Sequence, residues 1–310
     1  MESPLLTLPM SRKALTITAV MATYNYAHGI TQAIDSILTQ THRPDEIIIV
    51  DDGSTDRTRD VVASYGEAVT YIYQQNRGPG AARNAAVRAA TCDWIAFLDH
   101  DDEWLPTKLQ CQARAVQETE ADLCYTGFVV VSNGRPDQIA DPAEPGNLFP
   151  DLRFRNTVGP SSTYMVRRST FLSLGGFNEQ LGASCEDWEF CVRLASASPI
   201  VKVTDALVRY HYLPSSASRQ YKRMLEKELS IEQTLLGGTS GLSRALTRRK
   251  LRSAIYSRAA TGRREGGQSG ALYLLRSIYL WPSLGFLPRR YKQLGVEIAD
   301  LFRYSHRRQQ

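Results

Sequence analysis

Apolar residues along the first third of the chain come in short runs separated by segments of helical spacing. Ile17 to Ala22, Glu46 to Val50 (EIIIV), Val69 to Tyr73 and Trp94 to Leu98 (WIAFL) have the length and β-branched content of buried strands. Between the first two, Ile30, Ala33, Ile34, Ile37 and Leu38 recur on one helical face. Ser54-Thr55-Asp56 offers capping oxygens ahead of a second helix, and Pro79 to Ala90 is an Ala-rich third. Strands alternating with helices predict an α/β fold with a mostly parallel sheet and right-handed crossovers. Ligands of such sheets lie beyond the carboxyl ends of the strands. Further along, Asn133 to Asn156 reads as a long loop rich in Pro, Gly and Asp, Ser161 to Val166 as a strand and Asp187 to Ala197 as a helix. After Ser215 the texture turns to helical segments rich in arginine.

That change of texture is also a change of charge. Residues 1–218 carry 18 basic and 26 acidic side chains, a net of −8, whereas residues 219–310 carry 19 and 6, a net of +13. The charge step, with the change of texture, places a boundary near residue 215, dividing the chain into a short tail over 1–14, a main domain over 15–215 and a basic helical region over 216–310. Overall, 310 residues with 43% hydrophobic and 22% charged content exclude a disordered chain, a collagen-like repeat and a disulfide scaffold. Cys92, Cys111, Cys124, Cys185 and Cys191 form no C-x-x-C pair and read as reduced thiols. The start lacks the apolar core of a signal peptide, so a cytoplasmic location is expected.

A +13 segment seeks nucleic acid or anionic lipid. It shows no helix-turn-helix, zinc module or RNP pattern, and no nucleic-acid partner is expected. Its most apolar stretch, Leu272 to Pro288, is interrupted by Arg276, Pro282 and Gly285 and is too broken to span a bilayer. Its Tyr, Trp and Leu content, with Arg289, Arg290 and Lys292 beyond, suits peripheral attachment at the inner membrane face. The competing expectation is that these helices pack on the catalytic domain and turn their arginines to water.

Polar clusters follow the predicted strands. Ala22-Thr23-Tyr24-Asn25 offers an aromatic ring that could stack a base, or simply a polar loop. Asp51-Asp52-Gly53-Ser54 reads as a helix N-cap or as carboxylates for a base N–H or a ribose hydroxyl. Asp99-His100-Asp101-Asp102 places three carboxylates within four residues, which reads as a solvated turn or as a cation site, and Mg²⁺ or Mn²⁺ suits such oxygen donors. Glu186-Asp187 opens a helix, where acids favour the dipole or one serves as a general base. Arg77 and Arg83 flank Gly78-Pro79-Gly80 ahead of a helix N-terminus, a fair anion site but not a Walker loop. His211 closes an apolar run, and taken alone reads more readily as structural than as a ligand.

In order, VMATYNYAHGITQAIDSILTQTHRPDEIIIVDDGSTD, NRGPGAARNAA, WIAFLDHDDEW, LGGFNEQL and CEDWEFCVRL resemble the family 2 glycosyltransferases, from about Leu15 to Ser218. The resemblance implies a GT-A fold and an inverting, metal-dependent transfer from a nucleotide sugar. It implies that Tyr24 and Asp52 hold the base, with Ala22 contributing at most its backbone where relatives carry threonine. It further implies that Arg83 lies near base and phosphates, that Asp99 contacts ribose with Asp102 in support, and that Asp101 binds Mn²⁺ or Mg²⁺ with His211 completing the coordination. Asp187 would be the base, Glu186 an acceptor or orienting contact, and Gly176 part of the acceptor-side turn. Gly159 fits a loop lining the donor sugar. UDP is the expected carrier, although thymidine presents the same N3–H. A glycan or lipid-linked hydroxyl is the expected acceptor, in assembly of a surface polysaccharide or lipopolysaccharide. A non-catalytic sugar-nucleotide binder and a nucleotidyltransferase are the alternatives, the second lacking its Gly-rich triphosphate loop.

Overall fold

The structure, a computed structural model, describes residues 15–132, 136–145, 148–182, 184–212 and 221–307. The four anticipated strands form one half of a single sheet: β1 (Ile17–Thr23), β2 (Glu46–Asp51), β3 (Thr70–Tyr73) and β4 (Trp94–Asp99), all parallel, in the order β3-β2-β1-β4. Three helices make the crossovers, α1 (Ile30–Leu38), α2 (Thr58–Ala63) and α3 (Pro79–Ala89). Both faces of β1, β2 and β4 are covered, so these three read as continuous apolar runs. Val20, Ile48, Val50, Ile95 and Phe97 enter one core and Ala19, Met21, Ile47, Ile49, Ala96 and Leu98 the other, as a period of two requires. Register then aligns the strand ends. Ala22 lies between Val50 and Asp99, and Thr23 pairs with Asp51.

The other half of the sheet departs from expectation. After β5 (Glu103–Trp104) and α4 (Lys108–Glu118) come β6 (Leu123–Val131) and β7 (Gln138–Ala140), then α5 (Leu148–Leu152). The stretch expected as one long loop therefore carries a strand and a short helix. Residues 161–166 are not a strand throughout: Ser161–Thr163 form a 3-10 turn, and β8 is Met165–Arg167. α6 (Arg168–Ser173), α7 (Glu186–Ala195) and the 12-residue β9 (Ile200–His211) complete the domain. β8 runs antiparallel to both β4 and β6, β9 lies parallel to β6, and β5 closes the order antiparallel to β9. Of the three oxygens offered ahead of α2, that of Asp56 accepts from the Thr58 N–H at 3.0 Å.

The boundary expected near residue 215 and the tail over 1–14 lie outside the described residues. Beyond them the chain is helical: α8 (Tyr221–Ser230), α9 (Glu232–Leu235), α10 (Gly241–Glu265), α11 (Ala271–Leu280) and α12 (Arg289–Arg307). These helices pack on the catalytic part. Ile231, Leu235, Leu236, Leu251 and Ile255 share a core with Leu152 and Trp188. Arg258 donates to the Phe154 carbonyl and lies 5.3 Å from the centre of the Trp188 ring. Among the described residues, no helix is long and apolar enough to cross a membrane. All five cysteines are free.

Candidate active site at the strand ends

The ends of β1 and β2 are tied together before any ligand arrives. Asn25 takes a left-handed backbone (φ 49°), which asparagine tolerates. Its N–H donates to Ser54 Oγ at 2.9 Å, and its Oδ1 accepts from the Thr55 N–H at 2.8 Å. Asp51, fully buried, accepts from the Ser54 N–H (2.8 Å) and from the Tyr71 hydroxyl (2.7 Å). Asp52 gathers the loop before α3, accepting from Gln74 Nε2 (2.7 Å) and the N–H groups of Arg77 (2.9 Å) and Gly78 (2.8 Å). Three donors on a carboxylate with about four lone-pair directions leave capacity for one more, as a base N3–H would need. Gly53 is required here: its φ is +88°, and a Cβ would meet the Asn76 nitrogen at 2.9 Å. Tyr24, directly after β1, is 46% exposed.

At the end of β4 the acids divide. Asp99 accepts from the buried Arg83 guanidinium and from Ser161 Oγ at 3.2 Å. The other arm of Arg83 donates to Glu186 Oε1 at 2.9 Å, so one arginine joins β4 to the start of α7. Asp102 is 1% exposed, with Ser162 Oγ (2.5 Å) and the His211 N–H (3.0 Å) on its two oxygens. Burial and its acidic neighbours push its carboxyl well up. Asp101 is raised by burial and by Asp99, while His100 opposes the shift. His211 donates through Nδ1 to the Asp101 carbonyl (2.7 Å) and holds Nε2 3.3 Å from Glu103 Oε1. Together with Tyr26 and His100, these groups line a cleft of about 190 Å³. His100 also reaches the Ala22 carbonyl at 3.1 Å, the contact through which Ala22 enters the site.

This donor set fits a hard divalent cation. A carbonyl can only accept, so His211 Nδ1 carries the proton and its Nε2 lone pair faces a carboxylate, an acceptor against an acceptor. A cation or a further proton between them removes the conflict. Among the described residues no three ligating side chains converge on one point. Mg²⁺ or Mn²⁺ would need only one or two carboxylates from the protein, with water and substrate phosphates completing the shell.

α7 begins under strain. Cys185, its N-cap, is left-handed (φ 65°), a conformation that costs a non-glycine residue about 1–3 kcal/mol and is tolerated where the surroundings fix it. It delivers Glu186 inward to Arg83 and the Ser184 N–H (2.9 Å), and leaves Asp187 half-buried at the helix start. Asp187 Oδ1 accepts from the Trp188 N–H (2.7 Å), and Oδ2 lies 3.4 Å from Asn156 Nδ2. Burial, then Glu186, pushes its carboxyl up to about 7, against the pull of Arg83. Asn156 and Gly159 also line a second cleft of about 260 Å³ with Phe128 and Thr157, whose buried hydroxyl has no partner among the described residues.

The structure thus joins Arg83, Asp99 and Glu186, and links Asp101 with His211 through a backbone carbonyl. Gly176 is closely packed. Its Cβ would meet Asn84 Oδ1 at 2.6 Å, and its carbonyl accepts from Arg193 at 2.6 Å. Tyr26, Asn156, Ser161 and Ser162 are site residues that the sequence did not single out. Only the spacing of Tyr26 behind Tyr24 offered a signal.

Comparison with known proteins agrees with this geometry. Residues 18–172 match glycosyl transferase family 2, and residues 152–238 match a glycosyltransferase-like family 2 group. An uncharacterized glycosyltransferase of Nostoc sp. is 49% identical over 98 residues, 30% of each chain. TuaG of Bacillus subtilis, a putative teichuronic acid biosynthesis glycosyltransferase, is 34% identical over 158 residues, 49% of this chain and 62% of its own. The chain therefore spans less than two thirds of the length of either relative. Among solved structures, S. aureus TarS residues 1–349 in complex with UDP-GlcNAc aligns with a TM-score of 0.62 at 21% identity, over 92% of this chain and 81% of that one. The expected GT-A fold, with its helical C-terminal region, is borne out.

Proposed function

The chain belongs to glycosyl transferase family 2, and from that premise we propose an inverting transfer of a sugar from a nucleoside diphosphate, UDP first, to a hydroxyl of a glycan or lipid-linked acceptor. The observation that carries the reading is Asp187: a half-buried carboxylate at a strained helix start, raised to about 7, where a base working near neutrality belongs. Tyr24 stacks the base and the spare lone pair of Asp52 accepts its N3–H. Asp99, set by Arg83 and Ser161, faces the ribose, with Asp102 fixing the loop beneath it. Asp101, with His211, would hold the Mn²⁺ or Mg²⁺, which would supply charge neutralisation to the departing diphosphate. Asp187 takes the proton of the acceptor hydroxyl, seated by the Phe128–Asn156–Thr157 cleft, as its oxygen forms the new bond to the anomeric carbon. The C–O bond to the diphosphate breaks on the opposite face, and the configuration inverts. The match to TuaG supports a role in polysaccharide assembly.

The test is a panel of nucleotide sugars, with and without Mn²⁺ or Mg²⁺, scored for thermal stabilisation and slow donor hydrolysis. One UDP-sugar should stabilise the protein only with metal, and Asp101→Ala should abolish that effect. Asp187→Asn should keep donor stabilisation and lose about 10²–10⁴-fold in turnover. Stabilisation without turnover in either form would identify a sugar-nucleotide binder, and no response to any nucleotide would overturn the reading.

A further inference from the structure

The C-terminal helices bury one face on the catalytic domain and leave another open. On α11, Leu274 and Ser277 are buried, with Ser277 hydrogen-bonded to Ser253 of α10. The outer positions, Leu272, Leu275 and Tyr279, are 71%, 52% and 80% exposed and recur at i, i+3 and i+7, a continuous apolar stripe. Leu284, 71% exposed, extends it into the following turn. That turn is pinned. The buried Arg290 donates to Ser253 Oγ (2.6 Å) and to the carbonyls of Ser277 (3.2 Å), Trp281 and Ser283 (2.9 Å).

The charge around the stripe is more lopsided than the sequence count suggests. Glu228 is buried on Arg258, Glu232 on Arg248 and Arg252, and Glu297 on Ser269 and the Gly270 N–H. Of the acids in this region whose side chains are described, Glu226 and Glu265 alone stay exposed. Arg249, Arg264, Arg276, Arg289 and Lys292 stay outside. Apolar stripes of this kind on a soluble protein mark an interaction surface. A second copy is disfavoured as occupant, because two such basic segments would repel.

We propose that this stripe is a membrane-docking face. α11 lies in the plane of an anionic bilayer, with Leu272, Leu275, Tyr279 and Leu284 in the headgroup–acyl boundary and the surrounding arginines on lipid phosphates. Nothing in the proposal depends on the sugar donor or on Asp187.

The full chain should float with phosphatidylcholine vesicles containing phosphatidylglycerol on the order of tenfold more than with phosphatidylcholine alone, and high salt should reduce the difference. Leu272→Ser/Leu275→Ser/Tyr279→Ser should lose flotation while keeping the wild-type circular dichroism melt. Brominated lipids should quench wild-type tryptophan fluorescence, a readout that needs no variant, since Trp281 follows the stripe. Absence of both flotation and quenching in the wild type would overturn the proposal. So would unchanged flotation in the triple variant, or a wild-type dimer in light scattering that the triple substitution dissociates.

Discussion

Two walls of the cleft are built from the same residue type and put it to different use. At the end of β2, Asp51 and Asp52 accept five hydrogen bonds between them, from Ser54, Tyr71, Gln74, Arg77 and Gly78. At the end of β4 and the start of α7, burial outruns hydrogen bonding. Asp101 and Asp187 are desolvated beside other acids, and their carboxyls are raised. A carboxylate well supplied with donors anchors backbone, and one that is undersupplied binds a proton more tightly, as a base must, or waits for a cation. Donor supply, rather than the presence of an aspartate at a strand end, separates scaffold from reagent. Arg83 is the member shared by both uses, since it satisfies Asp99 and Glu186 while tempering Asp187.

The comparison breaks most visibly at that arginine. Arg83→Met leaves the buried Glu186 and the partly exposed Asp99 without their common cation, and losing one partner of a buried pair such as Arg83–Glu186 costs about 3–5 kcal/mol. Urea denaturation at neutral pH should show that loss, and an unchanged midpoint would mean that packing, not charge, holds α7 to β4. On the anchoring wall the expected loss is smaller. Asp52→Asn keeps the shape but replaces one acceptor oxygen with a donor facing backbone N–H groups, a cost of about 1–3 kcal/mol. The same variant should weaken nucleotide-dependent thermal stabilisation. Intact stability would show that the loop before α3 is held by something other than Asp52.

How much of this was legible beforehand follows from how local each signal is. The parallel half of the sheet was readable because both faces of β1, β2 and β4 are covered, which leaves unbroken apolar runs such as EIIIV and WIAFL. The other, mixed half was not. β9 begins as Ile-Val-Lys-Val-Thr-Asp, whose polar positions are set by the bulged pairing with β6, a contact no local pattern encodes. Ser161-Ser162-Thr163 has strand-like composition, but its hydroxyls and carbonyls are drawn to Asp99, Asp102 and Trp104, which holds it as a turn. Among the candidate residues, the acids were found because they cluster in sequence. The Arg83–Glu186 bridge joins residues 103 positions apart, and the link from Asn156 to Asp187 rests on a loop whose sequence carries no periodicity.

The smallest expected effect is the most diagnostic, because it reads the reagent wall directly. Asp187 is raised to about 7 by burial first and by Glu186 second, with Arg83 opposing. Only the ionised form can take a proton, so turnover should follow that fraction and fall about tenfold between about pH 8 and pH 6. Stability runs the other way. The folded chain binds this proton over the window from the ordinary carboxylate range up to about 7, where the unfolded chain has already released it. The Asp187 contribution therefore declines as pH rises through that window and is absent from Asp187→Asn. Neighbouring charges should move the activity limb in opposite directions: Glu186→Gln removes a repelling anion and shifts it to lower pH, whereas Arg83→Met removes an attracting cation and shifts it higher. A limb that stays near pH 4 in all three proteins would mean that Asp187 is ionised throughout and that the two walls differ in position, not in proton affinity.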